Sequence, residues 1–306
     1  MKLILLGIAL LQIACQPSNN FDTNEQVLPV SSQDSPWAEY WYAGTAELNV
    51  FEVEQARYNE VHPGQTVLVF VTEDFLTDKQ VKNESAPKKQ STSVLKTNLI
   101  RNFTTGIYDY SMMTSVFTPV NVRDHARTLK VTMSSQDWCG QSWMQLNLRR
   151  NKYSVQQFSY FEQEGDQKYE VTAVLLEDEI FNRIRINPDQ LPTGDIELLP
   201  STAFSRLKHL DYKPYPSKIS KMSYSGQDFS GTDLKVYRIE MPSLDRNLEI
   251  IYEAAFPHRI EGWSDTYPVF GGKSLTSTSK RVKTTKSPYW SKHDLEHKPL
   301  RAELGL

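Results

Sequence analysis

Apolar and polar positions along this chain alternate mostly with a period of two. TVLVFVTEDF, from Thr66, is strongly β-branched and follows HPGQ. That pattern predicts a turn over His62 to Gln65 and then a strand near the centre of a sheet. SVLKTNLIRNFTTG and IYDYSMMTSVFTPV predict two more strands, and the charged stretch from Thr77 to Thr92 before them predicts an exposed loop. Next come a strand over Thr128 to Met133, a turn in SSQDWCGQ, a return in SWMQLNLRR, then KYSVQQFSYFEQE, a turn at Gly165 and Asp166, and QKYEVTAVLL. Together they read as a four-strand meander. Within it Tyr153, Val155, Gln157, Ser159 and Phe161 share one face, and Ser154, Gln156, Phe158 and Tyr160 share the other. Aromatics on both faces suit a sheet covered on one side and meeting a second layer or a cavity on the other.

The remaining segments fill in an all-antiparallel picture. WAEYWYAGTAELNVFEVE, Trp37 to Glu54, is an aromatic start passing into alternation. EDEIFNRIRINPDQLPTG is the one clear helix candidate, with Ile180, Phe181 and Ile184 on a stripe and a stop before Pro188. Hairpins follow over Lys218 to Tyr224, Leu234 to Ile239 and LEIIYEAAF, and the basic run Lys280 to Lys286 alternates with Val and Thr as an edge strand would. The expected fold is mainly β: antiparallel meander sheets in a curved half-barrel or a two-layer sandwich, with few short helices. Residues 37–187 would form a β domain, 188–216 a proline-rich connector, 217–290 a second sheet or a continuation of the first, and 291–306 a polar tail.

The amino end departs from this rhythm. MKLILLGIALLQIA has a positive start at Lys2 and an apolar run far short of the roughly 20 residues that span a bilayer, the layout of a secretion signal. LQIAC resembles the lipobox of bacterial lipoproteins, which implies lipidation of Cys15, removal of residues 1–14, and a polar tether over 15–36. Ala14 fits that pattern, whereas Gln12 stands where leucine is usual; an ordinary secreted form with a free Cys15 is the alternative. Two acyl chains suffice for stable anchoring, so the membrane would be a partner through lipid alone. With Cys15 lipidated, Cys139 has no partner, and the fold depends on its core.

Charge adds one exclusion. Losing Lys2 with the signal takes the formal net charge from -3 to -4. No global basic field offers nucleic acid a surface. Lys88–Lys89, Arg149–Arg150 and Lys280 to Lys286 are local groups that ordinary solvation explains.

Candidate chemistry is thin. WCG at Trp138 to Gly140 lacks the second thiol of a redox loop, because Gln141 and Ser142 follow. Cys139 beside Asp137 is a weak nucleophile candidate, and a glycine-closed turn flanked by tryptophans explains it better. His293 and His297 with Asp294 and Glu296 have a metal-compatible spacing in a polar tail, so no metal site and no cofactor is assigned. No phosphate-cradling loop or nucleophile elbow occurs. The ligand-contact candidates are Trp138, Trp143, Phe158 and Tyr160 in the meander.

ELNVFEVEQARYNEVHPGQTVLVFVTEDFLTDKQVK and LKTNLIRNFTTGIYDYSMMTSVFTPV resemble a poorly characterised group of Bacteroidetes cell-envelope lipoproteins. Some members carry the label of Maf-type septum-formation inhibitors. Maf proteins are cytoplasmic α/β pyrophosphatases with an SxSPRR loop, and this chain has neither that motif nor a βαβ rhythm. The resemblance implies an envelope location and brings no catalytic residues. Three functions fit: a non-catalytic lipoprotein holding an apolar or amphipathic ligand, a scaffold or adhesion component binding an envelope protein or glycan, and an envelope hydrolase.

Overall fold

Fifteen strands join into one sheet, and its first and last strands are consecutive in the chain. A computed structural model describes residues 35–122 and 125–306, so the signal, the lipobox and Cys15 lie outside the described residues. The amino-terminal half contributes β1 (Ala46–Arg57), β2 (Glu60–Leu76), β3 (Ser91–Thr105), β4 (Tyr108–Pro119), β5 (Lys130–Asp137), β6 (Gly140–Arg149), β7 (Lys152–Ser159) and β8 (Gln167–Thr172). The other half contributes β9 (Leu175–Leu176), β10 (Gly194–Leu199), β11 (Tyr215–Ser223), β12 (Leu234–Met241), β13 (Arg246–Glu253), β14 (Ile260–Pro268) and β15 (Ser274–Ser287). Neighbours run β8 to β1 in descending order, then β15 to β9, and all pairs are antiparallel except the short β9–β10 contact. Pairing of β1 with β15 makes the two halves one sheet.

This order forces the sheet to curl. Laid flat, fifteen strands at a spacing of about 4.8 Å would put the edges on the order of 65 Å apart. Only Ala173 and Val174 lie between edge strands β8 and β9, and two residues reach about 11 Å. The sheet therefore bends until its edges approach, yet they form no ladder and the barrel stays open. One buried cluster spans the seam, taking Tyr153, Val155 and Val171 from one side and Leu176 and Leu199 from the other.

Helices fill the concavity. α1 (Pro36–Trp41) starts at Ser35, whose hydroxyl accepts the Ala38 N–H at 3.2 Å, and it buries Trp37 and Trp41. α2 (Ile180–Ile186) occupies the predicted helix and ends before Pro188, with Ile180 and Ile184 in the main core beside Phe51, Leu68, Leu95 and Tyr237. α3 (Thr202–Lys208) adds Ala203 and Leu207 to the seam cluster. Outside the sheet, Leu304, just after α4 (Pro299–Glu303), packs on Leu48, Val69 and Ile100, and Gln65 donates to the Gly305 carbonyl at 2.9 Å.

Three local expectations change. The β1–β2 turn lies at Tyr58 and Asn59, with Tyr58 at φ 56, and His62 to Gln65 belong to β2. Pro63 fits there because the ladder with β3 begins one residue later, at Gly64. Trp37 to Trp41 are helical: Ser35-Pro36 is a cap signal, and the two tryptophans lie one helical turn apart. Lys280 to Lys286 are not on an edge strand of the sheet, because β15 joins its two halves. Beyond Lys280, however, β15 outruns β14 and pairs with β1 alone, which explains the edge-like pattern.

Candidate functional site

The meander brings two of the four aromatic candidates, Trp143 and Phe158, onto one outer face, whereas the Tyr160 ring lies against Gly140 on the side that Asp137 and Ser142 share. Trp143 and Phe158 are directly opposed on β6 and β7, with ring centroids 5.6 Å apart. Opposed residues share a face, so Ser134 and Met113 continue that row across β5 and β4. The next row is Ser115, Thr132, Gln145 and Gln156; on the other side lie Ser111, Gln136 and Gln141. No charged side chain stands in these rows between β4 and β7. Phe158 is 39 % exposed and Tyr160 56 %.

The tip of the meander fixes Tyr160. A Cβ on Gly140 would come within 2.6 Å of the Tyr160 ring, so only glycine lets that ring lie against the hairpin. Tyr160 also meets Phe161 at 4.4 Å, and the Arg206 guanidinium lies 4.3 Å from the Phe161 ring centroid. Trp138 stands apart at the hairpin turn, 70 % exposed. Cys139 beside it is an exposed thiol whose backbone N–H donates to Asp137 Oδ1 at 2.8 Å. Asp137 in turn faces Arg206 at 3.5 Å, so the turn carries a structural carboxylate.

An open groove of about 950 Å³ lies beyond this tip, lined by Phe161, Glu162, Glu164, Asp166, Lys168 and His209, among others. Glu164 contacts His209 Nδ1 at 2.5 Å and accepts the Ser159 hydroxyl. In the carboxy-terminal segment Asp294, Glu296 and His297 bring ligand atoms within 4.8 Å of one another on the surface, whereas His293 is not part of that group.

Inside the concavity the chemistry is charged and paired. Arg185 on α2 donates to both oxygens of Glu47 on β1, at 2.5 and 2.7 Å, and its Nε donates to the Pro257 carbonyl at 2.8 Å. The Trp41 and Phe70 ring centroids lie 4.9 and 4.8 Å from its guanidinium carbon. Burial alone would raise the Glu47 pKa, but Arg185 and the Tyr40 and Asn49 donors bring it down to about 2. A second arginine, Arg246 on β13, grips Glu177 at 2.6 and 2.7 Å and Asp265 on β14 at 2.8 and 2.9 Å. Burial pushes Asp265 upward against Arg246's attraction.

Beside Arg246 is a cavity of about 70 Å³. Its walls combine Leu99, Phe181, Leu248 and Trp263 with Gln55, Arg101, Tyr267, Ser277 and Ser279. Single-sequence reasoning missed Arg101, Glu177, Arg185 and Arg246. None stands in a motif that marks it as buried, and the partners of Arg185 and Arg246 lie 138 and 69 residues away.

Asp178, next to this cavity, gives a pH-dependent prediction. Burial raises its pKa to about 6, although its Oδ2 accepts the Thr202 N–H at 2.9 Å, and neighbouring Glu177 adds to the rise. The folded state thus holds the proton more tightly than the unfolded chain. Its stabilising effect is complete below about pH 4 and is lost as pH rises through 6. Asp178→Asn keeps an acceptor for Thr202 and removes the charge. Urea unfolding should find the variant about 2–3 kcal/mol more stable than the parent at pH 8 and nearly equal at pH 4. An equal difference at both pH values would contradict the assignment.

No family model matches the chain, and no curated protein does. Among solved structures, a crystal structure of a porin-like protein from Bacteroides uniformis ATCC 8492 is similar over 77 % of this chain and 95 % of that one, at 9 % identity and a TM-score of 0.22. A likeness at that score carries no argument here. Among the described residues, no helix is long and apolar enough to cross a membrane. The outer face carries the ion pairs Lys96–Glu73, Lys152–Glu170 and Arg238–Glu249, which a lipid-facing band of a barrel disfavours.

Proposed function

We propose that this protein is a lipid-anchored envelope protein that binds a neutral glycan on the outer face of β5 to β7. The carrying observation is the outer aromatic pair of half-buried Trp143 and exposed Phe158, set between β4 and β7 among hydroxyls and carboxamides, with Lys168 on β8 the first charge reached along the row of Gln156. Aromatic faces offer apolar area to the C–H faces of a sugar ring, while Gln141, Gln145 and Gln156 supply donors and acceptors for its hydroxyls. An anionic polymer would find a single cation along these rows, Lys168 opposite Gln156, and a hydrophobic partner would have to desolvate the amides.

The inner side weighs in the same direction. Tyr153 and Val155 are fully buried, so the concave face of the meander is closed against a packed core. The cavity of about 70 Å³ is far below the roughly 300–1,000 Å³ typical of a site for a drug-sized molecule, and the open groove of about 950 Å³ is lined by Glu162, Glu164, Asp166, Lys168 and His209, which suits no apolar guest. These features favour a surface ligand over an enclosed lipid. Cys15 would tether the domain to the membrane and leave this face free to meet extended polymer.

Affinity electrophoresis of the full chain through gels containing dextran, soluble xylan, starch or polygalacturonate tests the binding surface. Retardation is expected in at least one neutral polysaccharide and not in polygalacturonate. Phe158→Ala with Gln156→Ala, both on the outer face, should abolish it while leaving the melting temperature within a few degrees. Unretarded migration in every neutral gel, or equal retardation of the Phe158→Ala, Gln156→Ala variant, would overturn the surface assignment. Cys15→Ser should move the protein from the membrane to the soluble fraction of its cells; continued membrane association would contradict the anchor.

A further inference from the structure

We propose that the cavity enclosed by β1, β3, β4, β13, β14 and β15 is a binding site for a short aliphatic monocarboxylate, with Arg101 as the carboxylate-binding group. This site is separate from the outer glycan face and does not depend on it.

Arg101 carries the inference. It projects from β3 into the concavity, where its Nη1 donates to Gln55 Oε1 at 3.0 Å. Its Nε is buried and has no hydrogen-bond partner, and no carboxylate lies within ion-pair distance among the described residues. Arg246, in the same wall, has both edges of its guanidinium taken by Glu177 and Asp265. The contrast separates a structural arginine from one with donors to spare. A buried guanidinium N–H without an acceptor, here Nε of the half-buried Arg101, is costly, and a carboxylate supplies two oxygens in matching planar geometry.

The rest of the cavity sets size and polarity. Gln55 is held in place by donating to Tyr267 OH at 3.0 Å and to Ser277 Oγ at 3.1 Å, so its carbonyl oxygen stays aimed at Arg101. Phe181, Leu248 and Trp263 face the same space and suit a short hydrocarbon. A volume of about 70 Å³ corresponds to about five water positions, which limits the guest to two to four carbons. Arg101 and Arg246 against Glu177, Asp265 and Asp178 sum to zero only while Asp178 is protonated, so binding should be tighter at pH 5 than at pH 8. The attraction for a carboxylate is therefore local to the unfilled donors, and a neutral amide of equal size is the control that separates charge from shape.

The test is titration of the full chain with sodium acetate, propionate and butyrate at constant ionic strength, followed by the carboxyl resonance of ¹³C-labelled ligand and by thermal shift. Propionate should bind saturably and raise the melting temperature, propionamide should bind at least tenfold more weakly, and hexanoate should not bind. Arg101→Gln should weaken propionate at least tenfold. Should that variant fail to fold, Ala203→Val, which adds volume at the cavity wall on α3, should give the same loss. Absence of saturable binding by all three acids, equal binding of propionamide, or undiminished binding by the variant would overturn the proposal.

Discussion

Replacing Arg185 with methionine is expected to destabilise the protein by about 3–5 kcal/mol, the usual consequence of leaving one member of a buried ion pair alone. Both Arg185 and Glu47 have fully buried side chains. The guanidinium ties α2 to β1 through Glu47 and to the loop before β14 through the Pro257 carbonyl, with Trp41 of α1 and Phe70 of β2 beside it. Its loss leaves the Glu47 carboxylate among apolar groups with only the Tyr40 and Asn49 donors. Arg185→Met with Glu47→Leu removes both charges and should recover much of the loss, because desolvation no longer has to be offset. Urea unfolding of the four members of this cycle measures the coupling. A single-variant loss below about 1 kcal/mol would mean that the pair is not buried as described. In the parent, Glu47 contributes fully above about pH 4.5, and that contribution fades as pH falls toward 2.

Arg246→Met should be at least as damaging, because one cation serves two carboxylates. Glu177 and Asp265 would face each other unpaired inside the sheet, with Phe204 losing the guanidinium that lies 3.6 Å from its ring centroid. A loss of about 4–5 kcal/mol is expected at pH 7. The variant also predicts a pH signature. Without the arginine, the burial that already pushes the Asp265 carboxyl upward is no longer opposed, so the folded form holds a proton that the unfolded form releases. Stability of the variant should therefore fall as pH rises through the range 4 to 7, more steeply than in the parent. Equilibrium unfolding at pH 5 and pH 7 separates the two slopes, and parallel profiles would contradict the paired geometry.

Much of the sheet was legible because its two faces differ chemically along every strand. Tyr153 and Val155 against Ser154 and Gln156 give the period directly, and the short turns of the meander give antiparallel pairing. The joining of β1 to β15 was not legible, since nothing in residues 46–57 marks residues 274–287 as their neighbours. That pairing turns a string of hairpins into one curled sheet. Glu47 and Arg185 illustrate the same limit within the core. Their charges look like solvated positions until the fold brings α2 against β1. The outer aromatics were easier, because Trp143 and Phe158 fall on the polar-facing parity of their strands, where large rings need a reason. Arg101 left no such mark, being one basic residue in a strand that also holds Lys96.

The most direct test of the glycan-binding account is a titration of the folded full chain with a soluble neutral polysaccharide, read by perturbation of the Trp143 and Phe158 side-chain resonances. The account predicts saturable shifts at these two residues, with the buried Trp41 and Trp263 indoles unmoved. Saturable shifts confined to the buried tryptophans, or none at any neutral polysaccharide tried, would contradict it.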